Sequence, residues 1–182
     1  MCGIFALFGE EVEAGYHLLH HRGPDDYSTR TLGKCRMDFY RLAINDLTPT
    51  GMQPFKSDKS MLICNGEIYN HKKFRTGIEK GTSDCEVLIP MIEYFGVLET
   101  LDVITGDFAF VYSDGKKVIA ARDPVGVRPL FYTRYAENSI AFASEVKALL
   151  FLNSKIDIFP PGHIYDSYLD DFVCYHSGYW RV

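Results

Sequence analysis

Sustained helical periodicity is confined to the middle of this chain, and short apolar runs bounded by turn residues lie on both sides of it. Strands, then two helices, then a run of hairpins is the order of an α+β fold with stacked antiparallel layers. The alternation that builds a parallel dinucleotide-binding sheet is missing, and neither GxGxxG nor GxxxxGK[ST] occurs. No internal repeat, low-complexity tract or linker divides the sequence, so residues 1–182 are expected to form one domain. Residues 4–8, ending at Gly9, read as a buried strand. A short helix is predicted over 12–21, stopped by the turn residues Arg22-Gly23-Pro24-Asp25-Asp26. Residues 34–44 read as strand, 46–54 as loop, and 61–64 as a strand broken by an Asn65-Gly66 turn.

A polar helix is expected over 69–80, ending at Gly81. Ser83-Asp84-Cys85-Glu86 has the form of a capping box for a second helix, which runs to Phe95, stops at Gly96 and is kinked by Pro90. Asp114-Gly115 between residues 108–112 and 117–122 predicts a hairpin. A second hairpin is predicted from 130–135 and 139–143. A short helix over 145–151 and strands over 163–168 and 172–176 complete the reading.

A chain of 182 residues buries about 70% of its unfolded surface and needs no disulfide or metal to hold a core. Its net charge of −5 is a poor match to nucleic acid or anionic lipid. The five cysteines, at 2, 35, 64, 85 and 174, are odd in number and contain no CxxC pair. That pattern argues against a disulfide framework or a zinc site and favours a reducing compartment. The apolar start meets Glu10 and Glu11 without a basic leader, and no run reaches the ~18 apolar residues of a membrane helix. A cytoplasmic protein is expected.

Cys2 is the first candidate for chemistry. Loss of Met1, which precedes a small residue, would put a thiol and a free α-amine on one residue. An α-amine has a pKa of about 7.7–8.0 and accepts a thiol proton near neutral pH, which gives a nucleophile–base pair without histidine. The bland alternative is a small apolar residue opening a buried strand. Asn65-Gly66-Glu67 offers a side-chain amide and a glycine N–H as oxyanion donors, or simply a turn. Arg41 could grip a carboxylate with two hydrogen bonds or snorkel from an edge strand. Asp84 could complement a helix N-terminus, hold a substrate ammonium, or do both. His20-His21 cannot both face one site on a helix, which disfavours a metal reading. Arg122-Asp123-Pro124 and Arg128-Pro129 read as turns held by a structural ion pair.

Taken in order, Met1-Cys2-Gly3-Ile4, His21-Arg22-Gly23-Pro24-Asp25, Arg41-Leu42-Ala43-Ile44, Gly51-Met52-Gln53-Pro54 and Asn65-Gly66-Glu67-Ile68-Tyr69-Asn70-His71 form a specific set. Ser83-Asp84-Cys85-Glu86, Gly106-Asp107-Phe108-Ala109-Phe110, Arg122-Asp123-Pro124, Gly126-Val127-Arg128-Pro129-Leu130 and Ala143-Ser144-Glu145-Val146-Lys147-Ala148-Leu149 extend it. The chain resembles the class II glutamine amidotransferase family, and most of all the glutaminase domains of asparagine synthetases. The resemblance implies an N-terminal-nucleophile hydrolase fold, a four-layer αββα sandwich. It implies hydrolysis of glutamine to glutamate and ammonia without a cofactor or metal. Cys2 would attack the side-chain amide, with its own α-amine moving the proton. Asn65 and the Gly66 N–H would stabilise the oxyanion. Arg41 would hold the α-carboxylate, Asp84 with Glu67 the α-ammonium, and Ile44 and Asn45 the pocket floor.

Against the family pattern the region before His20 is short, Tyr40 replaces a frequent histidine, and Asn45 and Pro90 are unusual. Relatives continue into an ATP-dependent synthetase domain with a Ser-Gly-Gly-containing loop. No such loop occurs in residues 1–182, so the ammonia acceptor is expected as a further domain or subunit. Tyr175, Tyr179 and Trp180 are expected at its docking surface. Rival readings are the glutaminase part of another amidotransferase, forming phosphoribosylamine or glucosamine phosphate, and a non-catalytic glutamine-binding or docking module.

Overall fold

A computed structural model describes residues 1–44, 46–77, 79 and 81–177. In chain order the strands are β1 Gly3–Phe8, β2 Asp26–Leu32, β3 Cys35–Arg41, β4 Phe55–Lys56 and β5 Met61–Ile68. Helices α1 Leu88–Phe95 and α2 Val97–Val103 follow. The strands β6 Gly106–Ser113, β7 Val118–Arg122, β8 Phe131–Ala136, β9 Ser139–Ala143, β10 Asp157–Ile158, β11 His163–Asp166 and β12 Asp171–Cys174 complete the chain. They form two antiparallel six-stranded sheets, ordered β10-β8-β9-β1-β3-β2 and β12-β11-β7-β6-β5-β4.

Period-two alternation explains the layers. Ile4, Ala6 and Phe8 of β1 meet Met61 and Ile63 of β5, Val111 of β6 and Phe142 of β9 in a core between the sheets. Phe5 and Leu7 face the other way, onto Leu19, Leu149 and Leu152. Leu62, Phe108, Phe110 and Ile119 turn outward from the second sheet onto Val87, Leu88, Ile92 and Leu101. Each fully buried Phe or Leu of this kind contributes about 1.5–3 kcal/mol relative to an exposed one. The four-layer α+β expectation therefore holds. The outer layer on the first sheet is built from 3₁₀ turns at Tyr16–Arg22, Val146–Ala148 and Leu150–Leu152. The predicted helices over 12–21 and 145–151 are thus shorter and tighter than read.

Both central hairpins form as predicted, with Gly115 at φ +83° in the first turn. Among the described residues of 69–80 the expected helix does not form, and only His71–Lys73 makes a 3₁₀ turn. Asn70 spends its amide on the Val103 carbonyl and the Thr105 N–H, and Arg75 donates to the Gly81 and Ser83 carbonyls, so local polar bonds replace helical ones. Ser83 makes no capping hydrogen bond. Asp84–Val87 is a 3₁₀ turn, and α1 begins at Leu88. Pro90 then falls in the first turn of α1, where its missing N–H has no role, and not in the middle of the helix as expected. β2 is an edge strand with mostly exposed side chains, which is why alternation did not reveal it. Among the described residues no helix is long and apolar enough to cross a membrane.

Candidate active site

Cys2 immediately precedes β1, a central strand of the first sheet, and packs against the end of the inter-sheet core. Its Sγ lies 3.4 Å from the Leu42 N–H and 3.6 Å from the Leu42 carbonyl. Its own carbonyl accepts a hydrogen bond from Arg22 Nε at 3.0 Å, and Arg22 in turn pairs with Glu145 at 3.1 Å. Ser144 fixes the chain two residues on, accepting from the Ile4 N–H at 3.0 Å. Burial raises the Cys2 thiol above its ordinary pKa, against the Leu42 N–H and the nearby N-terminal charge, which lower it. Arg22 and Glu145 were missed as site residues because their motifs carry no nucleophilic signature; only the fold brings them together.

Asn65-Gly66 is not a turn. β5 runs through both residues, with Asn65 opposite Ala109 and Gly66 opposite Phe108 of β6. The glycine serves close approach instead, since a Cβ there would stand 2.4 Å from the Asp107 carbonyl oxygen. On its other side β5 is paired only at Met61 and Leu62, by the short β4. Beyond that the edge is closed by side chains. Gln53 accepts from the Cys64 N–H at 2.6 Å and donates to its carbonyl at 3.1 Å. Asp84 Oδ2 accepts from the Ile68 N–H at 2.6 Å, and the Cys85 thiol donates to the Gly66 carbonyl at 3.6 Å. Backbone groups two residues apart point to the same side of a strand. The Gly66 N–H therefore faces this same edge, away from β6. Asn65 shares its face with Met61 and Ile63, toward Cys2. It is fully buried, and its Nδ2 has no hydrogen-bond partner among the described residues.

Cys2, Arg41, Ile44, Asn65, Gly66, Glu67 and Asp84 all line one pocket. Arg41 ends β3 and is buried. It donates from NH1 to the Thr48 carbonyl at 2.9 Å and from NH2 to the Asp46 carbonyl, which leaves other N–H groups of its guanidinium for a ligand. Strand geometry stops there, so Leu42 to Ile44 become pocket wall where strand was expected. Ile44 is exposed at the rim, and Glu67 is exposed as well. Asp84 is buried in the first position of its 3₁₀ turn. Asn45 lies outside the described residues.

Arg128 also lines the pocket and pairs with Asp107 at 2.5 Å, while Tyr69 donates to the same carboxylate at 2.6 Å. Arg122 instead satisfies the Arg128, Phe159 and Gly126 carbonyls, and the Asp123 carboxylate accepts the N–H groups of residues 125 to 128. The loop presenting Arg128 is thus held by backbone capping, with the ion pair made by Arg128. His21 is taken up by the Leu18 carbonyl and Glu145.

Comparison with known proteins identifies the family. Residues 1–171 match the glutamine amidotransferase domain. The chain is 40% identical to asparagine synthetase [glutamine-hydrolyzing] 3 of Arabidopsis thaliana, over 92% of this chain and 32% of the relative. It is 38% identical to a probable asparagine synthetase [glutamine-hydrolyzing] of Schizosaccharomyces pombe, over 99% of this chain and 36% of the relative. The chain therefore spans about a third of the length of the curated relatives it matches. Its fold is similar to that of the glutamine phosphoribosylpyrophosphate amidotransferase of B. subtilis, with a TM-score of 0.78 at 22% identity, over 91% of this chain and 47% of that one. With the match covering nearly its whole length, this chain belongs to the glutamine amidotransferase domain family.

Proposed function

We propose that this chain is one glutaminase domain that hydrolyses the side-chain amide of glutamine to glutamate and ammonia, with Cys2 as nucleophile. The observation that carries the reading is the buried, unpartnered Nδ2 of Asn65 in the pocket that Cys2 lines. A buried amide donor without a partner is costly unless a ligand oxygen meets it.

Removal of Met1 gives Cys2 a free α-amine. The amine takes the thiol proton, and the thiolate attacks the amide carbon. Asn65 Nδ2 and the Gly66 N–H receive the developing oxyanion. The tetrahedral species collapses to a thioester, and the protonated amine returns its proton to the departing ammonia. Water, activated by the same amine, then hydrolyses the thioester, releasing glutamate and regenerating the thiol. Arg41 holds the α-carboxylate and Asp84 with Glu67 the α-ammonium, with Ile44 at the rim of the same pocket.

Relatives named as glutamine-hydrolysing asparagine synthetases support an ATP-dependent synthetase domain or subunit as the ammonia acceptor. Of the aromatics expected at its docking surface, Tyr179 and Trp180 lie outside the described residues. Tyr175 turns back, donating to the Arg122 carbonyl at 2.7 Å. Ammonia release from glutamine by the purified protein, lost in Cys2→Ala, is the deciding assay; equal release by both proteins overturns the reading.

A further inference from the structure

The two ends of the pocket come from separate stretches of chain. Arg41, Asp46, Gly51 and Gln53 line one wall, and Ser83, Asp84 and Cys85, which follow Thr82, line the other. A buried carboxylate joins the two stretches. Asp46 is 5% exposed. Its Oδ1 accepts from the Thr48 N–H at 2.8 Å and the Thr48 hydroxyl at 2.6 Å. Its Oδ2 accepts from the Thr82 N–H at 2.8 Å, on the opposite wall, and from the Thr50 hydroxyl at 3.5 Å. Its main-chain carbonyl accepts from Arg41 NH2. Two glycines leave room for it. A Cβ on Gly81 would stand 2.8 Å from Asp46 Oδ2, and one on Gly51 would stand 2.8 Å from the Asp46 Cβ. Among the described residues no cation forms an ion pair with this carboxylate. Its charge is spent on N–H and O–H donors from both walls.

We infer that Asp46 is a positioning residue for glutamine: it latches the Arg41 wall to the Thr82–Asp84 wall and so sets the span across which an α-amino acid is held. The inference rests on the reading of Arg41 and Asp84 as the groups that bind the α-carboxylate and α-ammonium. It adds that neither group is placed by its own element alone. The latch touches neither the nucleophile nor the oxyanion donors, so its loss weakens binding of substrate and transition state alike.

The test compares Asp46→Asn, Asp46→Ala, Arg41→Ala and Asp84→Asn in steady-state glutamine hydrolysis. In parallel, mass spectrometry follows the rate of Cys2 alkylation by iodoacetamide, which needs neither wall. Asp46→Asn replaces the oxygen facing the Thr82 N–H with a donor. It is expected to raise KM about ten- to a hundredfold, the scale of one lost hydrogen bond to a charged group. The expected change in kcat is under about threefold, with the alkylation rate unchanged. Adding Asp46→Asn to Arg41→Ala is expected to cost little further, because the latch acts through that wall. Unchanged KM in both Asp46 variants, while Arg41→Ala raises it, overturns the latch alone. A parallel fall in kcat and alkylation rate also overturns it, since that marks general damage to the fold. Unchanged KM in both Arg41→Ala and Asp84→Asn removes the underlying reading of the walls instead.

Discussion

Arg22 holds Cys2 by its carbonyl oxygen, 3.0 Å from Nε, and not by its sulfur. The anchored atom lies on the side of the residue that leads into β1, so the thiol and the amine end stay clear of the clamp. Ser144 secures the next peptide from β9's side of the sheet. Cys2 is thereby held by main-chain contacts that do not consume the groups proposed to react.

Cys2→Ala is expected to abolish ammonia release and retain glutamine binding by calorimetry, because Arg41 and Asp84 remain. Cys2→Ser should keep little activity, since an alkoxide forms less readily than a thiolate. A preparation that retains Met1 should be inactive. Full turnover by protein whose intact mass includes Met1 would sink the proposed role of the amine.

Asn65→Ala is expected to lower kcat about 10²–10³-fold with little change in KM, as loss of one oxyanion donor does. A change confined to KM would assign Asn65 to ground-state binding instead.

Arg41→Ala should chiefly raise KM, and Arg41→Lys should rescue it poorly because the planar fork is lost. Wild-type KM in the lysine variant would show that a point charge suffices.

Asp46 also marks the acid limit of the pocket. Burial pushes its carboxyl upward, but the Thr48 hydroxyl and the Thr82 and Thr48 N–H groups outweigh that and hold it below the usual carboxylate range. A depressed folded-state pKa stabilises the protein above the unfolded value, about 3.9, and that contribution is lost as pH falls toward the folded one. Wild type should therefore melt above Asp46→Asn near neutral pH. The gap should hold down to about pH 5 and shrink below about pH 4. A gap unchanged in strong acid would mean that the charge of Asp46 contributes nothing.

Native alkylation should separate the thiols. Cys174 is exposed and Cys2 half-buried, whereas Cys35, Cys64 and Cys85 are buried. Burial pushes Cys35 up to about 12; a hydrogen bond to Cys64, then burial, pushes Cys85 well up. Peptide mapping should find label at positions 174 and 2 before any at 35, 64 or 85. Early label at Cys64 or Cys85 would place the pocket wall in a more open state than described.

The hairpins around Asp114-Gly115 and over 130–143 were legible because turn chemistry and alternation coincided in each. Two of the misreadings have a clear physical origin. Asn-Gly usually marks a turn, but the Asn65-Gly66 glycine answers to a carbonyl on β6, a partner some forty positions away. A polar stretch without an apolar stripe, 69–80, was read as helix although Asn70 had better bonds elsewhere. The site residues were readable through an ordered set of short motifs, each weak alone. Asp46, Arg22, Glu145 and Arg128 were not, because each acts through contacts between distant segments that no local pattern encodes.

β5 divides its work by parity. Side chains at 61, 63 and 65 look toward the inter-sheet core and Cys2, while main-chain groups at 64, 66 and 68 face the open edge. The arrangement makes the gene brittle to a particular kind of change. Inserting or deleting one codon between 61 and 64 would keep the composition and most of the hydrophobicity, yet send the Asn65 amide to the helix layer and turn the Gly66 N–H into β6. Two codons would restore the parity but shift every cross-strand partner. Length variation in this family should therefore gather in the 57–60 loop and leave the strand itself untouched.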